Sequence, residues 1–273
     1  MDKNNLDKTT HNLENGHTII FHHKEHKYIN PKLEKPIVIG MSSVLKYLSA
    51  PQLENWKRRE LVGSIKSEMI KQKIPIDQVE DIIINAENSN KVKGDKVLSI
   101  GSIVHKYCEM WLKNEKFTEP ENKIVKECFN KFKIFWKKHK LKLVESEKIL
   151  YSERGFCGTL DLVAIDPDGN LWLIDIKTST AIYLNYILQI HGYKLAYEEQ
   201  TGKKINKMYI VRLPKTDEDF DARPITYKKE HTKAFLGLLN CHISTKMYEE
   251  QVKSYNKKKT IVKTTKRKRK KNV

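Results

Sequence analysis

The segment that most constrains the fold is residues 155–178, where two apolar runs flank a Pro-Asp-Gly turn. Pro167 presets φ at the second turn position, and Gly169 suits the left-handed position that closes the turn. These residues predict a β-hairpin with a three-residue loop, in which Asp166 pairs with Asn170. A two-residue loop would shift the register and turn the side chains of one strand to the opposite face.

In this register Asp161 lies opposite Asp175, and Lys177 shares the face of Asp175 because residues two apart on a strand point the same way. The other face is predicted to be apolar, with Trp172, Ile174 and Ile176. Two adjoining carboxylates are costly to bury unless a cation lies between them, and Mg²⁺ prefers carboxylate oxygen. The competing interpretation is a solvated strand face with a weak Asp175–Lys177 surface pair.

The rest of the chain divides into a mainly helical first half and a second half that mixes strands and helices. Apolar residues at helical spacing predict helices at 97–113 and 124–139. Short β-rich runs and further periodic stretches predict the elements that follow: strands at 148–152, 156–166, 171–178 and 207–213, a helix at 181–200 ended by Gly202, an edge strand at 220–228 and a closing helix at 231–251. This order predicts an α/β fold whose core is a mixed β-sheet flanked by helices.

Three further elements are predicted before residue 97. Two short strands are expected around a turn at 18–30, and four histidines there are interpreted as exposed strand residues and not as a metal site. Ser42 or Ser43 is expected to cap a helix that begins near Val44. A second helical stretch follows Pro51, and a short helix is expected within 71–95.

The predicted organisation has three parts. Residues 1–36 form a polar segment with a short hairpin, and residues 37–250 form one domain, helical over 37–140 and α/β over 141–250. Residues 251–273 form a tail with eleven basic and no acidic residues, out of a net charge of +18 for the chain. The tail is expected to be disordered. It is expected to anchor a phosphate backbone, with a nuclear localisation signal or no role as the alternatives.

Composition excludes several classes of protein. No stretch approaches the roughly 20 apolar residues of a membrane span, and the polar N-terminus resembles no signal or transit peptide. The chain is therefore expected to be intracellular, in the cytoplasm or at the genome, without a membrane partner. The four cysteines form no C-x-x-C pair, so we expect reduced, buried thiols without a disulfide framework or zinc site.

Four short motifs together resemble the PD-(D/E)XK nuclease superfamily, and within it the RecB-like branch of phage and mitochondrial genome-maintenance exonucleases. The motifs are, in chain order, Gly101-x-x-x-His105-x-x-x-Glu109, Gly158-x-x-Asp161, Asp175-x-Lys177 and Gln189-x-x-x-Tyr193. The segment beginning at Ile37 also resembles the mitochondrial-type members. The resemblance covers roughly residues 37–213 and implies a restriction-endonuclease-like fold.

The resemblance also implies roles for individual residues. His105, Asp161, Asp175 and the Ile176 carbonyl would bind the metal. Lys177 would position the attacking water or stabilise the developing charge, and Gln189 and Tyr193 would complete the catalytic set. Glu109 would orient His105 or be a surface acid. One of Glu145 and Glu147 could also touch the site, with Glu147 as the candidate beside the metal and surface charge as the alternative. The metal is expected to be Mg²⁺, with Mn²⁺ as a substitute. Cys241 is the one cysteine near the C-terminus, so no iron–sulfur cluster is expected.

The expected activity is metal-dependent hydrolysis of DNA, by an exonuclease that acts on single-stranded ends in replication, recombination or repair. Two alternatives stay open: a structure-specific endonuclease on the same fold, and a non-catalytic nucleic-acid-binding protein. A restriction-type enzyme is disfavoured because the sequence offers no separate recognition domain.

Overall fold

The computed structural model describes residues 7–48, 51–71, 100–216 and 219–271, with the side chains of 51–56, 68–71 and 256–271 left out. The short helix expected within 71–95 and the start of the helix expected at 97 lie outside these residues. In the part of the chain that is described, no helix combines the length and the apolarity that crossing a bilayer requires.

Nine strands and six helices form the described fold. The strands are β1 (Lys8–Asn12), β2 (Thr18–His22), β3 (Lys27–Ile29), β4 (Ile37–Gly40), β5 (Lys142–Ser152), β6 (Phe156–Ile165), β7 (Leu171–Lys177), β8 (Lys207–Arg212) and β9 (Asp221–Pro224). The helices are α1 (Met41–Leu45), α2 (Pro51–Lys71), α3 (described over 100–112), α4 (Lys123–Lys138), α5 (Leu184–Thr201) and α6 (Lys229–Lys271).

The strands form one mixed sheet in the order β1-β2-β3-β4-β6-β7-β8-β9, with β5 paired to β6 outside this path. One apolar cluster packs α1, α5 and α6 against the sheet. A second cluster packs α3 and α4 against the other face, around Phe129, Phe132 and Phe135. The result is a three-layer α/β/α arrangement, which confirms the predicted mixed-sheet class.

The β6–β7 hairpin has the predicted register. The Asp166 N–H donates to Asn170 O at 3.1 Å, the Gly169 N–H donates to Asp166 O at 3.0 Å, and Gly169 has a φ of 83°. Leu162 pairs with Ile174, and the three pairs towards the turn follow the same spacing. Pro167 and Gly169 therefore set the pairing of the strands that carry the candidate site.

One edge of β6 is shared by two different strands. β5 follows the other edge of β6 along nearly its whole length. On the shared edge, β4 runs parallel beside Phe156 and Cys157, whereas β7 runs antiparallel from Leu162 onward. Residues 158–161 thus have no strand partner on this edge among the described strands. The sheet is split there, and groups from both helical layers can enter the split.

The closing helix is longer than predicted. Instead of ending near Gln251 in a disordered tail, α6 continues to Lys271. The stretch after Gly237 contains neither proline nor glycine and is rich in lysine, which is a good helix former. Apolar residues become sparse after residue 251, so the helical hydrophobic pattern stops there although the helix continues.

Other differences from the sequence predictions are local. α1 begins at Met41 with Gly40 as its N-cap and no side-chain cap, so the cap predicted at Ser42 or Ser43 is wrong. Met41, the first residue of α1, follows β4 directly. Ser42 and Ser43 therefore lie inside the helix and not at its N-cap. Cys241 is exposed, whereas Cys108, Cys128 and Cys157 are buried free thiols as expected.

Candidate metal centre and active site

The candidate site is centred on Ile176, at the point where β7 separates from β6. The backbone groups of Ile176 are hydrogen-bonded there by side chains and not by the neighbouring strand. In the register of the hairpin, Ile176 would face Leu160, but the pairing stops at Leu162–Ile174. Instead the Ile176 N–H donates to Asp161 Oδ2 at 2.7 Å, and the Ile176 carbonyl lies 3.1 Å from His105 Nε2. Two backbone groups that the ladder leaves unpaired thereby fix an aspartate and a histidine beside each other.

His105 reaches the strands from α3, on the layer formed with α4. When its Nε2–H donates to the Ile176 carbonyl, its Nδ1 keeps a lone pair, and Nδ1 lies 3.7 Å from Asp161 Oδ1. The helix comes close at this point because Gly101 has no side chain; a Cβ there would lie 2.9 Å from Thr178 Oγ1. The ring is thus held with one nitrogen on the side of the Asp161 carboxylate.

Glu147 supplies a third potential ligand from β5. It lies between the pairs Ser146–Leu162 and Lys148–Leu160, which places it opposite Asp161 in the ladder. Its backbone is left-handed, with a φ of 47°, which costs an L-residue with a Cβ free energy. Desolvation by the surrounding protein, reinforced by the charges of Asp161 and Glu109, raises the pKa of Glu147 to about 8.

β6 loses its regular alternation at Asp161. Leu160 packs in the cluster under α5, whereas Leu162 packs in the cluster under α3 and α4. On a regular strand these two side chains would share a face. The strand therefore changes face at Asp161, and the regular face that the sequence prediction assumed for Asp161 and Asp175 does not continue through this residue.

The resulting cluster fits a divalent cation. His105, Glu147 and Asp161 each offer one ligand atom, and these three atoms all lie within 4.8 Å of one another. Two carboxylates and an imidazole suit Mg²⁺, Mn²⁺ and similar ions. The Ile176 carbonyl orients the His105 ring through its contact with Nε2. Desolvation is the main cause of the raised pKa of Glu147, and repulsion by Asp161 and Glu109, which a cation would offset, adds to it.

Asp175 and Lys177 form a buried ion pair next to this cluster. Asp175 is 1% exposed, and Lys177 Nζ lies 2.8 Å from each of its carboxylate oxygens. The lysine donates to Oδ1, and the buried Oδ2 has no hydrogen-bond donor. Burial, opposed by Lys177 and reinforced by Asp161, raises the pKa of Asp175 to about 7. Burial disfavours the ammonium, but Asp175 and Asp161 outweigh it and hold the pKa of Lys177 above its ordinary value.

Gln189 and Tyr193 reach the site from the opposite layer, on α5. Gln189 Nε2 donates to the Tyr193 hydroxyl at 3.1 Å. Burial, together with the charges of Asp161 and Asp175, raises the pKa of Tyr193 well above its usual value, so the hydroxyl is a hydrogen-bond donor at neutral pH. The ring lies close to the strand at Gly158, where an added Cβ would lie 2.7 Å from Tyr193 Cε1.

The structure therefore places His105, Asp161 and the Ile176 carbonyl in one cluster, with Asp175 and Lys177 in a second group beside it. It does not place Glu109 against the His105 ring. Glu109 pairs with Lys113 at 2.5 Å and lies 3.5 Å from the Ser146 hydroxyl. The i, i+4 spacing that suggested contact with His105 also brings Lys113 within reach of Glu109, and the opposite charge is the stronger attraction.

Glu147, expected only as a residue beside the metal, offers a ligand atom within the cluster itself. The signal lies in pairing between β5 and β6, because Glu147 comes opposite Asp161 only in that register. Its neighbour Glu145 turns away and pairs with Lys148 at 3.1 Å. From the sequence alone the two glutamates were equivalent candidates.

A family model and several solved structures are similar to parts of this chain. A search of curated proteins finds no significant match. Among solved structures, SSO0001 is similar at 14% identity and a TM-score of 0.30, over 43% of this chain and 57% of that one. The "Putative exonuclease" from Eubacterium rectale is similar at 13% identity and a TM-score of 0.37, over 54% of this chain and 65% of that one. The chain thus spans less than two thirds of either of these structures.

The family is shown by a match between the sequence and a family model. The family model of the PD-(D/E)XK nuclease superfamily matches residues 109–265, more than half of the chain. The matched range contains Glu147, Asp161, Asp175 and Lys177, and His105 lies just before it. The chain belongs to the PD-(D/E)XK nuclease superfamily.

Proposed function

We propose that this protein is a metal-dependent deoxyribonuclease of the RecB-like type, acting as an exonuclease on single-stranded DNA ends. The observation that carries the proposal is the convergence of His105, Glu147 and Asp161 within 4.8 Å, beside the buried Asp175–Lys177 pair. Nucleases of this superfamily use divalent metal ions, and the donor set here supports Mg²⁺, with Mn²⁺ as a substitute.

In this proposal His105, Glu147 and Asp161 hold the ion, and the Ile176 carbonyl orients the His105 ring. Asp175, paired with Lys177, lies beside them. A bound divalent ion lowers the pKa of water and polarises the scissile phosphate. The hydrogen bond from the Ile176 N–H keeps Asp161 Oδ2 in place, which preorganises the carboxylate at no cost during the reaction.

Lys177 is proposed to bind the attacking water or the phosphate and to stabilise the negative charge that develops on the phosphate. Its ammonium is held charged by Asp175 and Asp161, so it acts as a fixed positive group and not as a proton acceptor. The hydroxyl of Tyr193, supported by Gln189, is proposed to donate to a phosphate oxygen. These groups together orient the substrate for in-line attack without a covalent intermediate.

The direct test is cleavage of end-labelled single-stranded and double-stranded DNA in Mg²⁺, Mn²⁺ or EDTA. We expect cleavage to require the metal and to fall at least about a thousandfold in Asp161→Asn and Lys177→Met, since each change removes a charge that acts at the transition state. Asp168→Asn, at the exposed hairpin turn, is the matched control and should keep full activity. Full activity of Asp161→Asn would contradict the assignment.

The mode of cleavage is tested with DNA that has no ends. An exonuclease degrades linear single strands and leaves circular single strands intact, whereas cutting of circles would favour the endonuclease. An RNA strand of the same sequence, used in parallel, tests the preference for DNA. Tight DNA binding without cleavage in any metal would favour the non-catalytic alternative.

A further inference from the structure

The distal part of α6 carries aromatic side chains that packing within the chain does not explain. Up to Ile243 the helix contributes apolar residues to the cluster under the sheet, with Phe235 and Leu239 buried. From Lys246 to Tyr255 every residue is exposed. Tyr248 and Tyr255 are 71% and 65% exposed, and neither ring contacts another aromatic ring among the described side chains.

These tyrosines lie on one line of the helix. Successive helical residues are rotated by about 100°, so Tyr248, Val252 and Tyr255 fall within an arc of about 60°. The two rings are seven residues apart, which is about 10 Å along the axis. We call Tyr248, Val252 and Tyr255 the tyrosine stripe.

The surroundings of the tyrosine stripe become increasingly positive. The nearby acids are neutralised, since Glu249 lies 3.2 Å from Lys246 and Glu250 lies 3.2 Å from Lys35. Residues 251–273 then contain eleven basic residues and no acid. The helix that presents the stripe continues through this basic segment to Lys271. Exposed rings and a polycation thus lie on one continuous helix.

Charge decides between the candidate occupants of this surface. A second copy of the chain, packed as a coiled coil along the stripe, would bring two basic segments together and be opposed by their repulsion. A nucleic acid strand has the opposite charge. Duplex DNA would need only the basic residues, because its bases are stacked inside the helix. Exposed tyrosines beside positive charge are the combination that binds single strands, by stacking on bases and contacting phosphates.

We propose that the tyrosine stripe and the basic segment after it form a binding element for single-stranded DNA, separate from the metal centre. This inference rests on the proposed function, because it assigns the strand held by α6 as the substrate of the nuclease. Tyr248 and Tyr255 stack on bases, and the basic residues contact phosphates. The element raises affinity for the strand and leaves the chemical step unchanged.

The test measures binding of a fluorescent oligothymidine strand by the full chain in EDTA, so that no cleavage occurs. We expect Tyr248→Ala and Tyr255→Ala each to weaken binding about tenfold, the size of the loss when one base loses its stacking partner. Tyr248→Phe and Tyr255→Phe should restore binding, since the ring is kept. Met247→Ala, an exposed neighbour outside the stripe, is the control, and binding of duplex DNA should change little in all of them.

A second set of variants tests the basic segment through the salt dependence. Replacing its last six basic residues with glutamine should reduce the slope of log affinity against log salt for single strands by up to roughly 4, about 0.7 for each lost phosphate contact. The residues are Lys266, Arg267, Lys268, Arg269, Lys270 and Lys271.

The outcomes separate this inference from the proposed function. Wild-type affinity in the Tyr248→Ala, Tyr255→Ala double variant would overturn the binding element even if cleavage is intact. A dimer in sedimentation that the same double variant abolishes would also overturn it, in favour of a second copy. The binding test is done in EDTA and does not depend on cleavage. It therefore tests the binding element even if the protein turns out not to be a nuclease.

Discussion

Glu147 combines two unfavourable features, a left-handed backbone and a carboxylate close to other acids. The φ of 47° costs roughly 1 kcal/mol or more for a residue with a side chain, and Asp161 and Glu109 repel its charge. Strain and like charge at one position are typical of sites where the geometry is held for a purpose. A bound cation would turn the repulsion into attraction.

The first prediction follows from this balance. Glu147→Gly should raise the free energy of unfolding of the metal-free protein by about 0.5–2 kcal/mol, since it relieves the backbone and removes a repelled charge. The same change should weaken Mn²⁺ binding at least tenfold. Urea unfolding in EDTA and calorimetric titration with Mn²⁺ measure the two effects. Glu145→Gly is the control: it has no left-handed backbone to relieve and should destabilise the protein. A stability loss in Glu147→Gly as large as in Glu145→Gly would contradict this account.

The second prediction concerns pH. The pKa of Asp175 is raised from 3.8 to about 7 in the folded protein, so the folded state binds a proton that the unfolded state releases. Its contribution to stability is complete below pH 4 and is lost as the pH rises through 7. In EDTA, wild-type stability should therefore fall between pH 5 and pH 8 more steeply than that of Asp175→Asn, which has no proton to lose.

Unfolding by urea at a series of pH values checks this difference. Parallel curves for wild type and Asp175→Asn would show that the carboxylate is ionised in the folded protein throughout this range. Asp168→Asn, in the turn of the same hairpin and exposed, should give a curve parallel to wild type.

At the scale of secondary-structure elements, the decisive feature is the point where β7 leaves β6. The turn fixes the register up to Leu162–Ile174, and beyond it Asp161 and His105 bind the freed backbone groups of Ile176. On the same edge of β6, β4 pairs with Phe156 and Cys157. The next residue, Gly158, is where β6 lies closest to Tyr193 of α5. The site is thus formed by a change of strand partner and not by a loop.

The third prediction concerns the contact between β6 and α5. Gly158→Ala would place a Cβ 2.7 Å from Tyr193 Cε1 and 3.1 Å from Met41 Cβ, so the ring must move. We expect a loss of about 1–3 kcal/mol in unfolding free energy, as for other overpacked cores, together with reduced activity. Gly237→Ala, on α6 with no atom within 4 Å of the added Cβ, should be neutral or slightly stabilising. Equal effects of the two changes on unfolding would contradict the contact.

The elements differ in how far the sequence predicts them. The β6–β7 hairpin was predictable because Pro167 and Gly169 set the turn locally. The burial of Trp172, Ile174 and Ile176 on one face was predictable from the alternation of side chains along a strand. The parallel pairing of β4 with β6 was not, because it joins segments more than a hundred residues apart. Glu147 stayed ambiguous because its place opposite Asp161 depends on the β5–β6 register, which shifts between Leu143 and Glu145. His105 was found through a motif, since a lone helical histidine carries no signal in periodicity.

At the scale of the whole molecule, the candidate centre joins all three layers. α3 supplies His105, the sheet supplies Glu147, Asp161, Asp175 and Lys177, and α5 supplies Tyr193. A cation held between α3 and the sheet would be bound by the folded chain and not by the unfolded one. Metal binding and stability should therefore be coupled.

The fourth prediction expresses this coupling. Mn²⁺ at a hundred times its dissociation constant should stabilise the folded protein by about 2.7 kcal/mol, which raises the melting temperature by several degrees. Asp161→Asn should show little of this shift at the same concentration, and Asp168→Asn should show all of it. Thermal unfolding with and without Mn²⁺ measures the effect. An equal shift in Asp161→Asn would place the ion elsewhere.

The most direct measurement is the anomalous scattering of Mn²⁺ in crystals of the protein. We expect a peak within about 2.5 Å of a His105 ring nitrogen and of carboxylate oxygens of Glu147 and Asp161. Crystals of Asp161→Asn should lose this peak. A manganese ion bound away from these residues, with none between His105 and Asp161, would contradict the account.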